Sequence, residues 1–178
     1  MSIRFANAED AETILKIYEQ YIDTPITFEY NLPSLNEFKN RIIDISKIYP
    51  YLVYEADSRI VGYAYAHRDR VRKAYDWNVE TSIYVDSNYV GGGVGKALYT
   101  GLIDLLKKQG IRNLYAYITL PNEKSERIHK KFGFDKIGTY HKTGYKNGNW
   151  YDVGIFEKCI GELGVPSDII PISEIWII

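Results

Sequence analysis

Thr81-Ser82-Ile83-Tyr84-Val85-Asp86-Ser87-Asn88-Tyr89-Val90-Gly91-Gly92-Gly93-Val94-Gly95-Lys96-Ala97-Leu98-Tyr99 is the stretch whose reading decides the fold. Its first six residues are rich in β-branched and aromatic types and read as a strand. Beyond Lys96 the apolar residues Leu98, Leu102, Leu105 and Leu106 recur with helical spacing. Between the two lies a glycine-rich turn. Such a turn exposes backbone N–H groups at a helix N-terminus, where the helix dipole favours an anion. The stretch therefore predicts a phosphate-bearing ligand at Gly91, Gly92, Gly93, Val94, Gly95 and Lys96, with a plain flexible turn as the alternative.

Two common phosphate templates do not fit. A P-loop requires glycine where Val90 stands and Ser or Thr where Ala97 stands. A dinucleotide fingerprint requires a third glycine at Lys96 and an early βαβ unit. What the loop does resemble is the acetyl-CoA pyrophosphate loop of the GNAT N-acetyltransferases, Gln/Arg-x-x-Gly-x-Gly/Ala. Gly93 and Gly95 match it, and Val90 replaces the usual Gln or Arg, so one side-chain contact of that pattern is absent.

The rest of the chain bounds the reading. Its 178 residues suit one domain with a real core. A net charge of −1 and no long basic run argue against nucleic acid as the main partner. The single cysteine, Cys159, excludes an internal disulfide framework and fits a reducing cytoplasm. No apolar run has the length of a signal peptide core or a membrane span, so a membrane partner is not expected. Tyrosine stands out at 17 residues, suited to strand packing or to the walls of a ligand tunnel.

Patterning predicts a strand over 2–6 and a helix from Asn7 or Ala8 that buries Ala11, Ile14, Leu15 and Tyr18. Ser34 with Glu37 reads as a capping box opening a second helix to about Ile48. A hairpin is expected over 51–56 and 60–67 around Asp57-Ser58, and a fourth strand over 79–85. The glycine-led helix should end at Gly110. A strand over 114–119, a helix over 122–132, and strands over 134–140 and 153–158 joined across Lys146-Asn147-Gly148-Asn149 complete the domain. The order is βααβββαβαββ, an α+β class with a mixed, mostly antiparallel sheet flanked by helices. It matches the GNAT order. The domain is expected over 1–160, with 161–178 as an apolar tail packing on it or on a partner.

Three segments narrow the resemblance to phosphinothricin N-acetyltransferases and methionine sulfoximine or sulfone acetyltransferases. They are Ala74-Tyr75-Asp76-Trp77-Asn78-Val79-Glu80-Thr81-Ser82-Ile83-Tyr84-Val85, the run from Leu120-Pro121-Asn122 to Phe132-Gly133-Phe134, and Thr143-Gly144-Tyr145-Lys146-Asn147-Gly148-Asn149-Trp150-Tyr151-Asp152-Val153-Gly154. The resemblance implies acetyl-CoA as cosubstrate, no metal, and a small amino-acid-like amine as acceptor. It gives Glu80 the role of general base, since an ammonium must lose a proton before its lone pair can attack a thioester. It also implies that backbone groups of Ile83, Tyr84 and Val85 pair with pantetheine, that Asn122 contacts the same arm, and that Lys131 adds a cofactor contact. Lys73, Ala74 and Tyr75, together with Glu80, form the implied substrate stretch.

His129 is open to two readings: a proton donor to the leaving CoA thiolate, or a partly buried ring packing on the cofactor. His67, His129 and His141 are far apart in sequence and show no metal-ligand spacing. A homodimer is expected, with Tyr145, Lys146 and Trp150 reaching a neighbouring active site and Lys146 touching substrate there. The apolar tail, which includes Ile169, Ile170, Ile172, Ile175, Trp176, Ile177 and Ile178, either joins that contact or folds back on its own sheet. Acetylation of a protein N-terminus, or a non-catalytic CoA-binding module, are the rival functions.

Overall fold

The computed structural model describes residues 2–175; Trp176, Ile177 and Ile178 of the expected tail contact lie outside them. Seven strands form one sheet: β1 (Ser2–Phe5), β2 (Tyr51–Ala56), β3 (Arg59–Arg68), β4 (Asn78–Val85), β5 (Asn113–Leu120), β6 (Asp135–Lys146) and β7 (Asn149–Cys159). They lie in the order β1-β2-β3-β4-β5-β7-β6. Only β4 and β5 run parallel; the other neighbours are antiparallel. Helices α1 (Ala11–Ile22), α2 (Leu35–Ser46), α3 (Val94–Lys108), α4 (Glu123–Lys131) and the single turn α5 (Ile172–Ile175) complete the α+β architecture.

Local chemistry accounts for the main boundaries. Asn7 accepts the N–H groups of Glu9 and Asp10 and opens a 3-10 turn that runs into α1. Ser34 and Glu37 form the reciprocal capping box of α2. Asp57 and Ser58 both adopt positive φ, as a two-residue turn in a right-twisted hairpin demands. Gly110 ends α3 in the left-handed region, at φ +83°.

Two cores cover the two faces of the sheet. On one face Leu98, Tyr99, Leu102 and Leu106 of α3 pack on Leu52, Ala64, Ala66, Leu114 and Ala116. On the other, Ile14, Ile17 and Tyr18 of α1 and Phe38 and Ile42 of α2 pack on Tyr51, Val53 and Tyr63. Here the tyrosines stack: Tyr51 on Tyr65 at 4.8 Å between centroids, and Tyr63 on Tyr84 at 5.1 Å.

The β6–β7 hairpin is longer than its sequence pattern indicates. The strands run up to the turn, where Asn147 and Gly148 have φ of +50° and +76°. At its distal end Gly144 and Lys146 are buried while Thr143 and Tyr145 are exposed, because the α1–α2 loop covers one face of the strand there.

The tail folds back over the domain. Ile172 is buried and donates its N–H to the Ile48 carbonyl, while Gln109 Nε2 bridges the carbonyls of Ile48 and Ile170. Trp77 Nε1 donates to the Ser167 carbonyl at 2.7 Å.

Candidate active site

The glycine turn leads from β4 into α3, as its spacing indicates. Gly91 and Gly93 take φ of +91° and +83°, conformations that exclude a side chain without strain. Gly93 is the N-cap of α3, yet no side chain caps this helix and its first turn holds no acid. By contrast, Ser34 caps α2 and Asn122 caps α4. The first-turn N–H groups of Val94, Gly95 and Lys96 are thus left for an external acceptor. Gly95 serves packing as well: a Cβ there would lie 3.0 Å from Ile128 Cδ1 of α4. Lys131, exposed one turn beyond Ile128, shares that face of α4.

Beside this turn the sheet opens. β4 pairs with β3 along its whole length but with β5 only from Asn78–Asn113 to Glu80–Tyr115. Past Glu80 the two strands part. The β3–β4 ladder has a fixed phase, because Asp69 N–H donates to the Asn78 carbonyl and Asp86 N–H to the Val61 carbonyl. In an antiparallel ladder, even-numbered residues of β4 then bond β3 and odd-numbered ones turn toward β5.

That phase corrects the expected backbone set. Tyr84 bonds β3 opposite Tyr63 and offers the gap no backbone group. Val85 faces the gap, but the Tyr21 hydroxyl takes both its N–H, at 3.3 Å, and its carbonyl. Of the three, Ile83 alone presents its backbone to the gap. Across from it, Asn122 caps α4 through Oδ1, which accepts the Ser125 N–H at 3.2 Å and leaves its amide donors for a ligand.

Glu80 stands where the strands separate. Its side chain is 30% exposed, and its Oε2 lies 3.6 Å from His67 Nε2, directly across the β3–β4 pair. Burial raises its carboxyl above the ordinary glutamate value; His67 opposes that rise and Asp69 adds to it. Asp69 is itself held by the Tyr117 hydroxyl at 2.7 Å and by Arg70 at 3.4 Å. A carboxylate held this way is more basic than one in water.

His129 occupies the opposite face and is 3% exposed. Its Nδ1 donates to the Ser125 carbonyl at 2.8 Å and its Nε2 accepts the Tyr99 hydroxyl at 2.7 Å. The Tyr99 oxygen lies 3.1 Å from Thr81 Oγ1, which also reaches the Tyr115 carbonyl. Burial lowers the His129 pKa, so the ring is neutral at physiological pH. With both nitrogens engaged and no charge to give, it is a poor proton donor.

The chain matches the acetyltransferase (GNAT) domain family over residues 3–155. It belongs to the GNAT acetyltransferase family. It is 34% identical to a phosphinothricin N-acetyltransferase of Streptomyces viridochromogenes over 98% of this chain and 96% of that one. An L-methionine sulfoximine/L-methionine sulfone acetyltransferase of Salmonella typhimurium is 28% identical, covering 93% and 98%. Among solved structures, a phosphinothricin acetyltransferase from Sinorhizobium meliloti in complex with AcCoA superposes with a TM-score of 0.89 at 33% identity, covering 93% and 92%. As a GNAT protein the chain is an acyltransferase.

On the acceptor side of this GNAT site the structure redistributes the expected residues. Lys73 and Ala74 lie exposed on a 3-10 turn, and Tyr75 beside them carries the Arg70 guanidinium 5.0 Å above its ring. A cavity of about 610 Å³ is lined by Leu120, Pro121, Glu126, Trp150 and Tyr151 among others; no residue of β4 lines it.

Lys146 is a correction. It is 2% exposed, and its ammonium donates to the carbonyls of Ile22, Thr27 and Glu29 at 2.5, 2.6 and 2.8 Å. Burial lowers its pKa against the pull of Asp23 and Glu29. All three of its donors are used, so it cannot reach substrate in a neighbouring subunit. It clamps the α1–α2 loop to β6, where the Phe28 ring covers Gly144 so closely that a Cβ there would fall 2.1 Å from the ring.

Sequence reasoning passed over Tyr21, Tyr99, Asp69 and His67. The first two look like ordinary helix-core tyrosines. The pairing of His67 with Glu80 was accessible, since aligning the two strands across Asp69 and Asn78 sets them opposite each other.

Proposed function

We propose that the protein transfers the acetyl group of acetyl-CoA to the amino group of a small amino-acid-like substrate of the phosphinothricin, methionine sulfoximine or methionine sulfone type. The observation that carries this reading is the position of Glu80 at the fork between β4 and β5. One end of the gap holds the uncapped N-terminus of α3, and the other holds a carboxylate made basic by burial.

Acetyl-CoA supplies an activated thioester acyl group. The residues fit it without rearranging the sheet: Gly91 to Lys96 offer N–H donors to the pyrophosphate, Ile83 a backbone edge to the pantetheine amides, and Asn122 its amide donors to the same arm. Lys131 extends from α4 toward the phosphates. Glu80 then takes the proton of the substrate ammonium, directly or through one water, so that the amine attacks in a ternary complex. No acyl-enzyme is required, and His129 holds the floor of the site through Tyr99 and Thr81. Lys73, Ala74 and Tyr75, with Arg70 above the tyrosine, form the rim that meets the acceptor.

We place the protein in the cytoplasm, which suits its exposed free Cys159. We also propose a homodimer that uses the distal β6–β7 hairpin, where Tyr145 and Trp150 remain 47% and 57% exposed. Residues 161–175 serve as a cover for the rest of the domain in this arrangement, as the burial of Ile172 supports.

The test is a thiol-release assay with acetyl-CoA against a panel of amino acids, phosphinothricin, methionine sulfoximine, methionine sulfone and short peptides. Turnover on the small amines, with none on peptides, is the expected result. A preference for peptide N-termini, or acetyl-CoA binding without turnover on any amine, would overturn the reading.

A further inference from the structure

The base of this reaction must release its proton before the next cycle. The nearest titratable neighbour of Glu80 is His67. The two residues are direct cross-strand partners, with Nε2 3.6 Å from Oε2, a small side-chain rotation short of a hydrogen bond. His67 Nδ1 lies 3.1 Å from the Arg68 carbonyl, an acceptor for a ring proton on Nδ1 in the tautomer that turns the Nε2 lone pair toward Glu80. The ring stacks on Tyr65 at 5.9 Å between centroids, which holds its plane. Its side chain is 36% exposed, so the ring reaches solvent.

We propose that His67 is the proton exit of the active site, a relay that empties Glu80 after each acetyl transfer. This inference rests on Glu80 being the base. In the first step an N–H bond of the substrate ammonium breaks and an O–H bond forms on Glu80. In the second that O–H bond breaks and an N–H bond forms at His67 Nε2, restoring the carboxylate beside an imidazolium. In the third the Nε2 proton passes to water or buffer and its electron pair returns to the ring. No electrons change hands and no further reactant is needed.

The surroundings favour this direction of flow. On β3 the ring meets Tyr65, beyond which Arg41 of α2 and Glu29 of the α1–α2 loop pair at 2.6 Å. On β4 it meets Glu80, with Tyr84 further along the same face. Asp69, just past β3, adds negative charge, and Tyr117 of β5 and Arg70 hold it. Tyr115 of β5, next to Glu80, is tied to Glu157 of β7 at 2.6 Å. Glu80 is thus the carboxylate paired with the ring, and the neighbouring Asp69 carries its own cation, Arg70.

His67→Ala tests the relay, with Glu80→Gln measured alongside. His67→Ala is expected to lower kcat by about tenfold or more at low buffer concentration, with KM for acetyl-CoA unchanged. Adding imidazole should restore turnover in proportion to its concentration, which a merely structural loss would not allow. The acid limb of the kcat/KM profile should also move to higher pH, because His67 no longer lowers the Glu80 pKa. Undiminished kcat, or a loss that imidazole does not restore, would overturn the relay. Full activity in Glu80→Gln would instead overturn the underlying assignment of the base.

Discussion

Two histidines flank the same opening of the sheet, and their fates differ. His129 lies on the α3–α4 face, sealed among Tyr99, Phe134 and Phe156, with each ring nitrogen in a good hydrogen bond. His67 lies on the opposite face with one nitrogen engaged and the other directed at a half-buried carboxylate. Neighbouring residues of β4 divide the same way: Thr81 joins the sealed network and Glu80 the open one. A fully satisfied buried polar group rigidifies, and an incompletely satisfied one near water is available for chemistry. In the mechanism we propose, the α3–α4 face holds the geometry and the tyrosine-rich face moves the proton.

The sharpest way to break that division is Glu80→Gln. It keeps size and hydrogen bonding but removes the proton acceptor, so turnover at neutral pH should fall by about 10²–10⁴-fold while acetyl-CoA affinity, measured by calorimetry, stays unchanged. A loss confined to affinity would shift Glu80 from chemistry to binding.

Lys146→Met probes a group that is sealed although its residue type is usually exposed. The methionine fills the space but leaves three buried carbonyls without their donor, which should cost about 2–4 kcal/mol in urea unfolding. A variant as stable as the parent would mean that water replaces the ammonium.

His129→Gln gives the smallest effect and reads the sealed side through pH. The folded-state pKa of His129 lies below its ordinary value of 6.5, so the unfolded chain binds the proton first as pH falls. The stability His129 contributes is therefore present above about pH 6.5 and lost progressively below it, as the pH falls toward the folded-state value. The melting temperature of the parent should drop between pH 7.5 and 5.5 more steeply than that of His129→Gln. Parallel curves would show that the ring is not sealed.

Much of the fold was legible because it depends on short-range chemistry. The Ser34–Glu37 box, the Asp57-Ser58 turn and the Gly93 start of α3 all act within a few residues. The glycine turn was legible for the same reason, whereas Glu80 was singled out by the resemblance of the 74–85 segment and not by any local rule. Lys146 was not, because its partners lie 117 to 124 residues away and a lysine is normally solvated. Tyr84 and Val85 failed in a different way. Which backbone groups face the gap depends on the phase of the β3–β4 ladder, and no residue type reports that phase. The state of His129 likewise depends on Tyr99 approaching from another helix.

The pH dependence of kcat/KM, in the parent and in Glu80→Gln, tests the central claim most directly. Because burial raises the Glu80 pKa, the parent should lose activity on acidification through a single limb whose midpoint lies above the ordinary glutamate value of 4.5. In Glu80→Gln that limb should vanish, leaving a low rate without it. The same limb surviving in Glu80→Gln would contradict the account and assign the base to another residue.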